Sequence, residues 1–311
     1  MQTILGAGGA AGTELARQLI NFTDQIRIVS RNPKKINETD ELMALDLSNP
    51  TSLDLAIKGS DIVYVTIAFE YKTKVWKEKW PPFINNLIES CKKHNSKIVF
   101  VDNMYMYDPN HLSNMTEETP INPISEKGKI RAEIFNRLMN AVERKEITAL
   151  VARGADFYGP GVTGSYLTQT VTNNLIKDKN PRWLGKLDVV HNFTYSVDIG
   201  KAVALLGNTN DAYNQVWHLP TTGTKLTSRQ WIELFLKEMN KQKKIQAIPT
   251  FMLGILGLFI PVLKELKDIS YQVENDYFFD SSKFNRYFNF IPTSPEGGVK
   301  EIVNHLTKQS Q

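Results

Sequence analysis

Cysteine is all but missing from this sequence. Cys91 stands alone among 311 residues, which excludes an internal disulfide and any cysteine-built metal site. Its setting, LIESCKK, reads as the buried face of a helix, where a thiol behaves as a small hydrophobe. An excess of one charge is missing as well: 37 basic and 33 acidic residues leave +4, spread along the chain. With no basic run interleaved with aromatics, nucleic acid is not an expected partner. No cluster of histidines and carboxylates at ligand spacing occurs, so no metal is expected. The longest apolar run, residues 251–263 (FMLGILGLFIPVL), contains Pro261 and two glycines and is too short to span a bilayer. It reads as a buried or partner-facing helix, and no membrane partner is expected. No leader precedes the first strand, so the expected location is the cytoplasm.

What is present begins at the first residue. Thr3, Ile4 and Leu5 form a short apolar run that stops at Gly6, Gly8, Gly9 and Gly12. Gly6, Gly9 and Gly12 stand three apart, with Ala10 and Ala11 between the last two, and residues 13–20 have the spacing of an amphipathic helix. A strand, a glycine turn and a helix in that order can hold a pyrophosphate. The backbone turns tightly and approaches the phosphates, and the helix N-terminus offers its N–H groups to negative charge. A second β-branched run, residues 25–30 (QIRIVS), ends in Ser30-Arg31-Asn32-Pro33. That is ~20 residues past the loop, where a dinucleotide-binding unit keeps its ribose-reading residue. NAD binders place Asp or Glu there. Here Ser30 and Arg31 stand in its place, with Lys34 and Lys35 beyond, and Arg can meet a 2′-phosphate with a bidentate fork. The expected cofactor is NADP, with NAD second.

Strand, helix and turn signals alternate through the first half. Asn49-Pro50 opens a helix through Ile57, and residues 61–68 (DIVYVTIA) read as a strand buried on both faces. Trp80-Pro81-Pro82 precedes a helix predicted over 83–94, residues 97–101 (KIVFV) are the next strand, and a helix is predicted over 126–144. Another strand begins at 148. Residues 197–206 read as one more helix, Ser228 as the N-cap of a helix through Met239, and 295–307 as a closing amphipathic helix. The fold class is therefore α/β: a Rossmann-type doubly wound parallel sheet with a smaller C-terminal substrate lobe. The expected division is 1–155, with the helix at about 197–206, as the nucleotide-binding domain, and 156–311 as the lobe.

Taken together, GAGGAAG at 6–12, Asp46-Leu47, VFVDNMYMYD at 99–108, TPINP at 119–123, KGKIRAE at 127–133, RGADFYGPG at 153–161 and FTYSVDIGKAV at 193–203 resemble the extended and atypical short-chain dehydrogenase/reductases, the NAD-dependent epimerase/dehydratase-like proteins. The resemblance covers nearly the whole chain. It implies that Gly6, Gly9 and Gly12 form the phosphate loop, that Asp46 and Leu47 border the adenine, and that Ala68 lies beside the ribose. Phe157 and Tyr158 fall where the family's YGP loop lies near the nicotinamide, and Arg153 fixes that loop. The family's catalytic Tyr and Lys are four apart on one helix. In that register Lys129 matches the Lys, but the Tyr position is Ser125, and the family's preceding Ser or Thr falls at Asn103. Lys127 is a nearby substitute for Lys129, and a solvated helix face is the alternative for both lysines. Trp183, His191 and His218 are candidates for substrate contact.

Two functions of different class follow from this. One is an NADP-dependent oxidoreductase or nucleotide-sugar-epimerase-like enzyme on a small polar or carbonyl substrate. The other is a non-catalytic NADP-binding redox sensor, which the missing Tyr favours. For an enzyme, Tyr105 is the expected proton donor or acceptor. A phenol starts near ~10 and falls beside a lysine cation, whereas the Ser125 hydroxyl is a far weaker acid. Asn103 would bond the substrate oxygen, and Lys129 would hold the nicotinamide ribose. A homodimer through the helices at 83–94 and 126–144 is also expected. Ile130, Ile134, Leu138 and Val142 serve the sheet, and Phe135 with Met139 is the candidate second stripe.

Overall fold

The short β-branched runs pair as parallel strands, and their order follows from the crossover helices between them. In the computed structural model, which describes residues 1–256 and 261–309, a seven-stranded sheet contains β1 (Gln2–Leu5), β2 (Ile26–Ser30), β3 (Glu41–Ala44), β4 (Ile62–Val65), β5 (Lys97–Asp102), β6 (Ala149–Arg153) and the strand Val216–His218. Across the sheet the order is Val216–His218, β6, β5, β4, β1, β2, β3. All the pairings are parallel. Strand order reverses between β1 and β4, and the crevice beyond the carboxyl ends there is where open α/β sheets take ligands. Both β1 and β4 are buried along their whole length, as strands covered on two faces must be.

The chain divides into two compact units. The first comprises Met1–Met106, Glu126–Gly154 and Val197–Leu219, and the second Tyr107–Ser125, Ala155–Ser196 and Pro220–Gln311. In the first, helices α1 (Ala10–Leu19), α2 (Pro50–Ile57), α3 (Thr73–His94) and α4 (Glu126–Glu143) flank the sheet. Asn49 caps α2 by accepting from the Thr51 and Ser52 N–H groups. Helix α3 starts at Thr73, ten residues before the start that the prolines suggest, and runs through Pro81 and Pro82. Interior prolines remove two ladder bonds at about 3 kcal/mol each or more. Burial of Trp76, Trp80 and Phe83 offsets this, at roughly 1.5–3 kcal/mol per large side chain. Their rings pack edge to face, with Trp80 also against Phe69 and Phe100.

On α4, Ile130, Ile134 and Leu138 are buried, and Phe135 and Met139 are packed against the same core. The guanidinium of Arg153 lies 4.2 Å over the Phe135 ring. The stripe nominated for a dimer is thus engaged within the unit. Cys91 is buried as expected, and burial pushes its thiol far up.

The second unit contains two small parallel strand pairs, Asp156–Tyr158 with Phe193–Tyr195 and Arg182–Leu184 with Gln246–Ile248. Its helix Ser228–Glu238 is capped by Thr227, not by Ser228. Thr227 and Gln230 form a reciprocal capping box, which satisfies two helix-end donors at once. The apolar run at 251–263 falls partly on 257–260, outside the described residues. No helix among the described residues is long and apolar enough to cross a membrane.

Candidate functional site

The turn after β1 is built by glycines with different duties. Gly6 has φ +98°, and a Cβ there would lie 2.6 Å from the Ile67 Cα. A Cβ on Gly12 would lie 2.7 Å from both the Ala7 Cα and the Thr66 Oγ1. These two glycines let α1 seat against the turn and against the residues after β4. At Gly8 and Gly9 nothing lies within 4 Å of an added Cβ, and their backbone faces open space. Gly9 is the N-cap of α1, which has no side-chain cap and no acid in its first turn. Its leading N–H groups and the positive end of the helix dipole are therefore presented to the opening.

That opening is a cavity of about 590 Å³ lined by Gly6, Gly8, Gly9, Ser30, Arg31, Asn32, Leu45, Asp46, Leu47, Ser48, Thr66, Ile67, Ala68, Phe69, Glu70, Val75 and Lys79. It joins the ends of β1, β2, β3 and β4, so Gly6, Gly9, Ser30, Arg31, Asp46, Leu47 and Ala68 meet in one place. Ala10, Ala11 and Gly12 form the first turn of α1 behind the lining, with Gly12 in a packing role. The rest of the lining, Gly8, Asn32, Leu45, Ser48, Thr66, Ile67, Phe69, Glu70, Val75 and Lys79, is not nominated from the sequence. Lys34 and Lys35 are not part of it, and Lys35 donates instead to the Glu38 carbonyl.

Asp46 accepts at one oxygen from both the N–H and the hydroxyl of Ser48. Those two bonds, with Lys79 and Arg31 nearby, hold its carboxyl below the usual carboxylate range. Glu70 pairs with Lys72 at 2.6 Å. Among the described residues, neither Arg31 nor Lys79 takes part in an ion pair within 4 Å. Both remain available to an anion.

Next to Glu70 in the chain, and outside the cavity lining, Tyr71 begins an aromatic cluster of the same unit. The Tyr71 hydroxyl lies 3.4 Å from the Tyr105 hydroxyl, and Tyr105 stacks on Trp76. Asn103 accepts from the Tyr105 N–H at 3.1 Å, so its carbonyl oxygen shapes the turn that carries Tyr105. The lysine that enters this cluster is Lys127, which is fully buried. Its Nζ donates to Thr73 Oγ1 at 3.0 Å and sits 4.7 Å over the Tyr71 ring. Lys129 is 58% exposed and pairs with Glu126 at 2.8 Å. The reason is helical phase. Two residues apart means about 200° around the axis, so only one of the pair can face inward. Lys127 stands three before Ile130 and four before Arg131 on the buried stripe, a signal legible in the sequence.

Ser125, the residue at the Tyr position, belongs to the second unit. It is buried and hydrogen-bonded to Tyr271. The other candidates of that unit are mostly core. Tyr158 is buried and packs on Phe193, Tyr195 and Trp231. His191 is fully buried, bonded through Nε2 to Asp156 at 2.9 Å and stacked on Tyr277. Trp183 is fully buried and meets His191 edge to face. Phe157 is half-buried on the strand Asp156–Tyr158 and is outside the cavity lining. In the first unit, His218 is fully buried and Arg153 lies against Asp102 and Phe135. From the sequence, Trp183, His191 and His218 are candidates for substrate contact, and the resemblance puts Phe157 and Tyr158 near the nicotinamide. The buried rings among these serve as core, with Trp183 Nε1 and His191 Nδ1 buried without a hydrogen-bond partner among the described residues. No group of three or more metal-ligating side chains occurs among the described residues.

The model of the NAD dependent epimerase/dehydratase family matches residues 3–218. No curated protein sequence matches the chain. Among solved structures, the dTDP-glucose 4,6-dehydratase of Bacillus anthracis in complex with NAD has a TM-score of 0.80 at 16% identity, covering 99% of this chain and 96% of that one. The UDP-glucose 4-epimerase of Thermotoga maritima with UDP-glucose has a TM-score of 0.79 at 17% identity, covering all of both chains. The UDP-N-acetylglucosamine 4-epimerase of Methanobrevibacter ruminantium, in complex with UDP-N-acetylmuramic acid, has a TM-score of 0.78 at 17% identity, covering 99% and 98%. At such identities the likeness concerns the fold.

Proposed function

The chain belongs to the NAD dependent epimerase/dehydratase family, and from that premise we propose that it binds NADP in the glycine-lined cavity and acts as an oxidoreductase or nucleotide-sugar-epimerase-like enzyme on a small polar or carbonyl substrate. The residues fit the cofactor. Gly8 and Gly9 leave room for a pyrophosphate at an uncapped helix end, and Leu47 and Ala68 offer an apolar edge for adenine and ribose. The observation that carries the choice of NADP is Arg31. It follows β2 where an NAD site keeps a carboxylate, lines the cavity, and is in no ion pair among the described residues.

When bound, the nicotinamide supplies hydride acceptance and return. The protein's own part is to move a proton, and Tyr105 is the residue for it. A phenol can shuttle protons near neutrality when a cation favours its phenolate. Lys127 takes the role that the register gave to Lys129, acting through Tyr71, whose hydroxyl meets that of Tyr105. Asn103 orients Tyr105 through its N–H. The nucleotide sugars named in the solved relatives support a nucleotide-sugar substrate. The alternative, a redox sensor without chemistry, is favoured by the buried Ser125 in the Tyr position.

Calorimetric titration with NADPH and NADH tests the cofactor. NADPH is expected to bind more tightly, and Arg31→Ala to remove the difference. Tighter NADH, or an Arg31→Ala variant with unchanged NADPH affinity, refutes it. A screen of carbonyl compounds and nucleotide sugars for NADPH oxidation separates enzyme from sensor.

A further inference from the structure

We infer that Lys79 determines whether this cavity tolerates a 2′-phosphate, by neutralising Asp46 and leaving Arg31 to hold the added charge. The inference rests on the NADP reading above and names a specificity residue within that site.

Four charged side chains line the cavity: Arg31, Asp46, Glu70 and Lys79. Glu70 is matched by Lys72, which leaves one anion and two cations. Asp46 cannot swing clear of an incoming anion. Its Oδ1 is tied to the Ser48 N–H at 3.0 Å and to the Ser48 hydroxyl at 2.8 Å, and both bonds favour the ionised form. A carboxylate fixed in the same cavity repels a phosphate monoester, which carries about −1.5 to −2 at neutral pH.

Arg31 and Asp46 alone would present no net charge, so Arg31 by itself does not explain a phosphate site. Lys79 changes the sign. It comes from the second turn of α3, well removed in sequence from both residues, and reaches the same cavity. Lys79 and Arg31 both help to lower the Asp46 carboxyl, so both act on it from within the same cavity. Lys79 then offsets the charge of Asp46 across the cavity without an ion pair among the described residues, and the guanidinium of Arg31 is left for the phosphate, where its fork gives two parallel bonds.

The test is a titration of the full-length chain with NADPH and with NADH, in four forms: unaltered, Lys79→Ala, Asp46→Asn, and the double variant. Thermal midpoints confirm that each is folded. Lys79→Ala is expected to weaken NADPH by about fivefold, the upper range for an exposed ion pair, and to leave NADH within about twofold. Asp46→Asn keeps the acceptor for Ser48 and is expected to strengthen NADPH. The double variant is expected to recover NADPH affinity to within about twofold of the unaltered chain. Equal losses for both cofactors, an unchanged NADPH affinity in Lys79→Ala, or a double variant that fails to recover overturns the role of Lys79. In those three cases the unaltered chain still prefers NADPH. An unaltered chain that prefers NADH overturns the cofactor reading itself, and the role of Lys79 with it.

Discussion

The two units handle their polar side chains in opposite ways. In the first, Arg31, Asp46 and Lys79 stand exposed around a cavity, and the two cations are in no ion pair among the described residues. In the second, His191, Trp183 and Tyr158 are sealed in an aromatic core, with His191 held by Asp156 and Tyr277. A buried polar group must satisfy itself within the fold, because leaving it unpaired costs about 1–3 kcal/mol. An exposed one keeps water as its partner and can exchange it for a ligand. The lesson is that residue type nominates a binding residue, but burial decides whether the side chain is available.

The comparison breaks or sharpens under substitution. The largest effect is expected at Tyr105. Once a substrate is in hand, Tyr105→Phe should lower turnover by on the order of 10²–10⁴, while Ser125→Ala, in the second unit, should stay near normal. Steady-state rates for both variants check this, and near-normal turnover in Tyr105→Phe removes it from the mechanism. Next is the buried ion pair of the first unit, Arg131 with Asp102, in which Arg131 Nε donates at 2.7 Å. Arg131→Met leaves the buried Asp102 carboxylate with Arg153 at 3.9 Å as its remaining counter-charge and should cost about 3–5 kcal/mol in denaturant unfolding. A loss below about 1 kcal/mol would show that Arg153 alone suffices to match the Asp102 charge.

In the second unit, His191→Phe keeps the ring packing and removes the bond to Asp156. It should cost about 1–2 kcal/mol and leave NADPH affinity unchanged. A clear drop in NADPH affinity would instead make His191 part of the site. The smallest effect is expected at Glu126. Bonds from Lys129 first, then Lys77, bring its carboxyl to about 2, against an ordinary 4.5. A carboxylate with a lowered value stabilises the fold fully above its unfolded pKa and loses that contribution as pH falls through the folded one. The window is therefore from about 4.5 down to about 2. Because the side chain is 44% exposed, solvent screening limits the gain to less than ~1 kcal/mol. In unfolding curves between about pH 5 and about pH 3, the unaltered chain should lose slightly more unfolding free energy than Glu126→Gln, which keeps the contributions of the other lowered carboxylates. Equal slopes in the two would remove the effect.

How much could be read in advance differs along the chain. The parallel sheet, its glycine turn and most crossover helices were legible, because each depends on neighbours a few residues away. Asn49 ahead of Pro50 fixes the start of α2 in this way. Helix α3 was misjudged at its N-terminus. Pro81 and Pro82 are local signals to stop, and only the packing of Trp76 and Trp80 outweighs them. That error also hid Lys79, which lies ahead of the helix predicted over 83–94.

The sequence by itself determined the fold class, the glycine turn and the presence of Arg31 where a carboxylate would otherwise stand. Periodicity, turn chemistry and the end of a strand are properties of adjacent residues, so they survive without the rest of the molecule. Tertiary structure alone decided that Lys79 of α3 shares a cavity with Arg31 and Asp46. It also decided that Lys127 meets Tyr71 and Thr73 in particular, although its inward face was legible, and that His191 is closed in against Tyr277. Each of these depends on which face of an element is turned inward and on what long-range packing brings opposite it. Burial is a property of the whole packed unit, and no short stretch of chain carries it.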